Sequence, residues 1–125
     1  MKRRLLTMIT LMILIVSICA TNALAADGTY SYGCTARCPL GTEWNGSGQQ
    51  WTFKAKAHPT GNWAVTRLQL CDTTGSTVYA WNDYPVNPVN PGWTSCPIYN
   101  NQYIRTYVKP VPNGNYISGS VEWNF

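Results

Sequence analysis

Apolar and polar residues alternate along Gln50-Trp51-Thr52-Phe53-Lys54-Ala55-Lys56-Ala57. A period of two predicts a β-strand with one buried face and its lysines in water, ending at His58-Pro59. Two hairpins follow from turn chemistry. Asn113-Gly114 suits a type I′ turn, and the register it sets places Val108 opposite Gly119, Thr106 opposite Val121 and Ile104 opposite Trp123. Those residues form the apolar side. The other side holds Tyr103, Arg105, Tyr107 and Lys109 against Ser118, Ser120, Glu122 and Asn124, with Arg105 across from Glu122. The second hairpin turns at Thr73-Thr74-Gly75, pairing Asp72 with Ser76, Leu70 with Val78 and Leu68 with Ala80. Its opposite face carries Trp63, Val65, Arg67, Gln69 and Cys71 against Thr77, Tyr79 and Trp81, too aromatic for an ordinary solvated surface.

Tyr30 to Tyr32 reads as a short edge strand. The run from Tyr84 to Trp93 holds too many prolines for a ladder and is expected as an extended, semi-rigid loop. No segment after the N-terminal apolar run has helical periodicity. The expected fold is all-β: a small single-domain antiparallel β-sandwich or partly open barrel, stapled by two disulfides and preceded by a signal peptide.

The apolar run from Leu5 to Ile18 follows Lys2, Arg3 and Arg4 and gives way to Ala23-Leu24-Ala25-Ala26. Charged head, apolar middle and small-residue exit are the order of a cleavable secretory signal. The strongly apolar part is about 14 residues, short of the roughly 20 that a spanning helix needs. Residues 1–26 are therefore read as a signal peptide and 27–125 as a secreted β domain, extracellular or in the cell envelope.

Processing changes the charge. Six basic residues remain (Arg37, Lys54, Lys56, Arg67, Arg105, Lys109) against five acids (Asp27, Glu43, Asp72, Asp83, Glu122), so the mature chain is nearly neutral. Net charge offers no basic patch, which argues against nucleic acid as a partner, and stable membrane insertion of the mature chain is not expected. All six Trp, all eight Tyr and both Phe lie beyond residue 26, so the mature chain has aromatic surface where it lacks charge.

A domain of this size hides only about two thirds of its surface and is short of core. Cys34, Cys38, Cys71 and Cys96 supply a remedy, because an even number of cysteines in an oxidising compartment reads as two disulfides. Three connectivities are open. Joining Cys34 to Cys38 closes a very small loop, whereas tying each to Cys71 or Cys96 would staple the N-terminal segment to the body, which favours the latter.

Catalysis has little to work with. His58 is the only histidine, the carboxylates are scattered, and a Glu43–Asp83 glycosidase pair has nothing in the sequence to assemble it. No catalytic residue, metal or cofactor is assigned. Binding has more: Trp44 and Trp93 stand in stretches rich in Asn, Ser, Gly and Pro, and Trp63, Tyr79 and Trp81 share a strand face. Rings beside amides suit sugars, whose apolar faces are edged by hydroxyls. The expectation is a non-enzymatic secreted protein binding an extracellular ligand, a polysaccharide or cell-envelope component, through these five aromatics. The stretches Asp27-Gly28-Thr29-Tyr30-Ser31-Tyr32-Gly33 and Trp123-Asn124-Phe125 resemble small secreted β-sandwich bacteriocins of the lactococcin kind. That resemblance implies an antimicrobial alternative; a second is a protease inhibitor presenting the loop from Val86 to Pro97.

Overall fold

A computed structural model of the chain describes residues 26–60, 64–88 and 90–125. The expected signal peptide, but for Ala26, and Trp63 lie outside the described residues. Eight strands follow in order: β1 (Asp27–Cys34), β2 (Cys38–Trp44), β3 (Trp51–Pro59), β4 (Val65–Cys71), β5 (Val78–Tyr84), β6 (Thr94–Ile98), β7 (Tyr103–Val111) and β8 (Ile117–Asn124). They form two four-stranded antiparallel sheets. Sheet A has the order β1-β8-β3-β6 and sheet B the order β2-β7-β4-β5.

The sheets face each other through their apolar sides. Phe53, Ala55, Ala57, Cys96, Ile98, Ile117, Val121 and Trp123 of sheet A meet Leu68, Leu70, Ile104 and Val108 of sheet B. Trp123 is the hub of sheet A's inner face, its ring lying 5.8 Å from Tyr30 and 6.0 Å from both Phe53 and Phe125. The alternation along β3 reflects this geometry directly: Phe53, Ala55 and Ala57 point inward, while Lys54 is exposed. The β1 edge strand also matches the sequence reading, as does the absence of a strand among the described residues between Tyr84 and Thr94.

The C-terminal pairing differs from that reading. Ile104, Thr106, Val108, Val121 and Trp123 are all buried, but β7 pairs with β2 and β4 while β8 pairs with β1 and β3. The chain around Asn113-Gly114 is an arch between sheets, and the amide of Gly114 donates to Thr35 O instead of closing a two-residue turn. Arg105 therefore has no Glu122 across from it. Alternation marks the buried side of a strand, and two strands facing each other across a core satisfy it as well as two lying side by side.

The β4–β5 hairpin exists with a slipped register. Leu70 pairs with Ala80 and Leu68 with Asn82, and an irregularity follows Leu70. The turn is one residue longer than expected because the Asp72 amide donates to Thr77 O, while Gly75 takes the left-handed conformation anticipated for it. The slip leaves Val78 exposed. Strands β2 and β6 were not anticipated; each carries a proline, and each is an edge strand, where a missing N–H is tolerated.

The four cysteines stand as thiols. Cys34 and Cys38 flank the crossing from sheet A to sheet B and are hydrogen-bonded to each other, and burial together with that contact pushes the Cys38 thiol up to about 12. Burial raises Cys96 to about 11, with the nearby Cys71 adding to the shift. The sequence-based preference joined each N-terminal cysteine to Cys71 or Cys96. The fold instead places Cys34 beside Cys38, since the crossing between them spans only Thr35, Ala36 and Arg37.

Candidate functional site

Among the described residues, four of the seven exposed aromatics, Trp44, Tyr103, Tyr79 and Trp81, lie on the outer face of sheet B. Trp44 ends β2, Tyr103 begins β7, and the two are register partners. Their rings stack at 6.2 Å with 25° between planes, and they remain 51% and 49% exposed. A β-carbon at position 46 would stand 2.7 Å from Trp44 Cη2, so Gly46 leaves the indole its room.

Asn45 fixes this pair in place. It is fully buried, and its Nδ2 donates to Gln49 O at 2.7 Å and Ile98 O at 2.8 Å. Its Oδ1 accepts from the Ser47 amide at 3.0 Å and the Ser47 hydroxyl at 2.6 Å. The Asn101 amide donates to Asn45 O, and Asn100 Oδ1 accepts from the Gly48 amide at 2.9 Å. The β2–β3 and β6–β7 loops are thereby tied together at the strand ends that carry the rings, with Tyr99 and Asn100 exposed in the second loop.

Farther along the face, Arg67 lies over the exposed Trp81 ring at 4.3 Å while its Nε and Nη2 donate to the two Asp83 carboxylate oxygens at 2.7 and 3.0 Å. That contact raises the Arg67 pKa. Tyr79, two residues from Trp81 on the same edge strand, is also exposed. Between the two aromatic groups, Arg37 lies 4.0 Å over the Tyr107 ring and Arg105 lies 5.4 Å from it. Arg37 donates to Gln69 Oε1, Gly75 O and Cys71 Sγ; Arg105 donates to Thr73 O. Neither contacts a carboxylate.

Of the aromatics singled out in the sequence, Trp44, Tyr79 and Trp81 share this face. Trp93 does not. It precedes β6 with the Lys56 ammonium 4.3 Å over its ring, whereas the Trp44 loop is clamped to residues following β6, about 17 Å away along a five-residue strand. Tyr103, Asn45 and Arg37 were not singled out. The ring–cation–ring–cation alternation Tyr103, Arg105, Tyr107, Lys109 was the available signal; Asn45 carries none, because beyond Ser47 and Gln49 its partners are Ile98, Asn101 and Gln102, some fifty residues away.

Carboxylates are placed apart. Glu43 accepts from the Tyr30 hydroxyl at 2.5 Å, and it shares sheet B with Asp83 only at opposite edge strands, about 14 Å apart, beyond the spacing of a glycosidase pair. Glu122 meets His58 at 3.2 Å and Lys56 at 3.7 Å on sheet A's outer face. No protein-family model, curated protein or solved structure matches the chain.

Proposed function

We propose that the chain is an exported, non-enzymatic binding protein that holds an extracellular polysaccharide against the outer face of sheet B. The stacked, half-exposed Trp44–Tyr103 pair carries this reading. A ring held open to solvent beside two tied loops offers a flat apolar surface at little ordering cost, and the exposed Asn100 and Asn101 of the adjoining loop suit hydroxyls. Trp81 and Tyr79 extend the surface along β5. In the same reading residues 1–26 are removed on export, and the four cysteines oxidise in neighbouring pairs.

The test is a pull-down of the oxidised mature protein on insoluble cellulose, chitin and peptidoglycan, with growth inhibition of neighbouring bacteria scored in parallel. Retention on a polymer that is lost in Trp44→Ala supports the reading. Killing without retention would replace it with the antimicrobial alternative, and capture of a protease by the Val86–Pro97 segment with the inhibitor alternative.

A further inference from the structure

Net charge hides an asymmetry that the fold creates. Arg37, Arg67, Arg105 and Lys109 all stand on the outer face of sheet B, against the two carboxylates Asp72 and Asp83. Asp83 is taken up by Arg67, and Asp72 is turned into its own loop, accepting from the Thr74 hydroxyl and the Thr77 amide. Arg37 and Arg105 are left as cations with neutral partners only.

These two guanidiniums converge on a single ring. Their distances to the Tyr107 centroid keep them within about 10 Å of one another, no more than one Debye length at 0.1 M salt, so each feels the other's charge. Like charges gathered without a counter-ion are unfavourable, and an anion between them relieves the repulsion. Their orientation is already fixed: Arg37 by Gln69 and Gly75, Arg105 by Thr73, and Tyr107 by the turn that lies against its hydroxyl. Arg105 uses one of its five N–H groups in this way, leaving the others for a ligand. Along β7 the exposed Tyr103 adjoins this cationic pair.

We infer that Arg37 and Arg105, held over Tyr107 beside the Trp44–Tyr103 rings, bind the anionic groups of an acidic polysaccharide. The inference rests on the proposed glycan-binding reading of the same face and specifies its ligand as a chain bearing carboxylate, sulfate or phosphate groups. A saccharide ring lies on the aromatic pair, and its acidic substituent reaches the guanidiniums two residues farther along the strand. Planar donors in a fixed fork match such oxyanions.

The test measures affinity of the oxidised mature protein for polygalacturonate, dextran sulfate, neutral dextran and a 20-base-pair DNA duplex, each from 50 to 300 mM NaCl. Polygalacturonate or dextran sulfate should bind at least tenfold more tightly than dextran, with affinity falling as salt rises. Arg105→Gln should weaken that binding at least fivefold and lower the salt slope by roughly 1, while Lys54→Gln on the opposite sheet changes neither. Arg37→Lys, which keeps the charge, guards against loss through misfolding, and thermal unfolding is followed on every variant. Equal, salt-insensitive binding to dextran and the polyanions overturns the inference but leaves the glycan reading standing. Loss in Arg105→Gln with none in Trp44→Ala keeps the anion site and removes the aromatic platform. DNA binding as tight as polygalacturonate overturns the ligand class, and no binding to any polymer overturns both readings.

Discussion

The indole of Trp123 occupies the space in front of Gly28: a β-carbon on residue 28 would stand 2.8 Å from Trp123 Cζ2. That indole is wedged among Tyr30, Phe53 and Phe125, so it has no free direction in which to yield. Gly28→Ala should therefore destabilise by about 1–3 kcal/mol, the scale of overpacking. Trp123→Ala should cost about 3–5 kcal/mol through the cavity it opens. Urea unfolding of both variants checks the order; a Gly28→Ala protein as stable as wild type would show that β1 shifts outward at no cost.

The aromatic pair of sheet B should behave in the opposite way. Trp44 is half-exposed at a strand end, so Trp44→Ala should change stability by less than about 1 kcal/mol and weaken glycan binding by about 1–3 kcal/mol. Trp93→Ala should leave binding unchanged, because its ring lies under Lys56 away from this face. Calorimetry and polymer retention on the same preparations separate the two effects.

Asn45 links both quantities. Asn45→Ala removes a buried amide, takes the Nδ2 donor from Ile98 O and leaves Gln49 O with the Ser47 hydroxyl alone, which should cost about 1–3 kcal/mol. It should also reduce binding although no atom of Asn45 is exposed, since the loops that position Trp44 and Tyr103 lose their tie. Normal binding in a destabilised Asn45→Ala protein would show that the β2–β7 register alone positions the rings.

If the chain is exported as proposed, it should carry no free thiol. Intact mass should rise by about four hydrogens on reduction, two for each bridge. Proteolytic mapping of the oxidised protein should give Cys34 joined to Cys38 and Cys71 joined to Cys96, the neighbours in the fold. A peptide joining Cys34 or Cys38 to Cys71 would contradict that placement.

Alkali should unfold the protein through its buried tyrosines. Burial pushes Tyr32 up to about 12 from its usual 10, and the Thr66 contact offsets this only in part; burial and the Glu43 carboxylate raise Tyr30 as well. Between pH 10 and 12 an unfolded chain sheds the Tyr32 proton that the folded chain keeps, so the unfolded state binds fewer protons and stability falls across that window. Tyr32→Phe should move the alkaline midpoint upward, measured by near-ultraviolet circular dichroism beside tyrosinate absorbance. An unchanged midpoint would assign the transition to other groups.

Which side of each strand is buried was legible wherever alternation was clean, as along β3, β7 and β8. Strand partners were not. An apolar row says that it must be covered, and both a neighbouring strand and an opposing sheet can cover it, so the Asn113-Gly114 segment, read as a hairpin, is an arch with the same rows buried. The site was half legible for a related reason. Trp44 and Trp81 announce themselves by size, whereas the convergence of Arg37 from the β1–β2 crossing onto Tyr107 of β7 depends on a pairing that no local pattern records.

The arch between β7 and β8 has a consequence for how the chain reaches this state. Strand β8 lies between β1 and β3, so sheet A has no interior until residues 117–124 have joined strands near the start of the domain. Sheet B likewise closes around β7, which must join β2 and β4. Almost every stabilising pairing spans much of the chain, and loop closure must precede the contacts that reward it, so folding is expected to be slow for a domain of this size. Until β7 and β8 emerge, a nascent chain has neither sheet to close and only the β4–β5 hairpin to form locally. Delayed folding of this kind would suit the export proposed above, because a narrow translocation channel passes only unfolded chain.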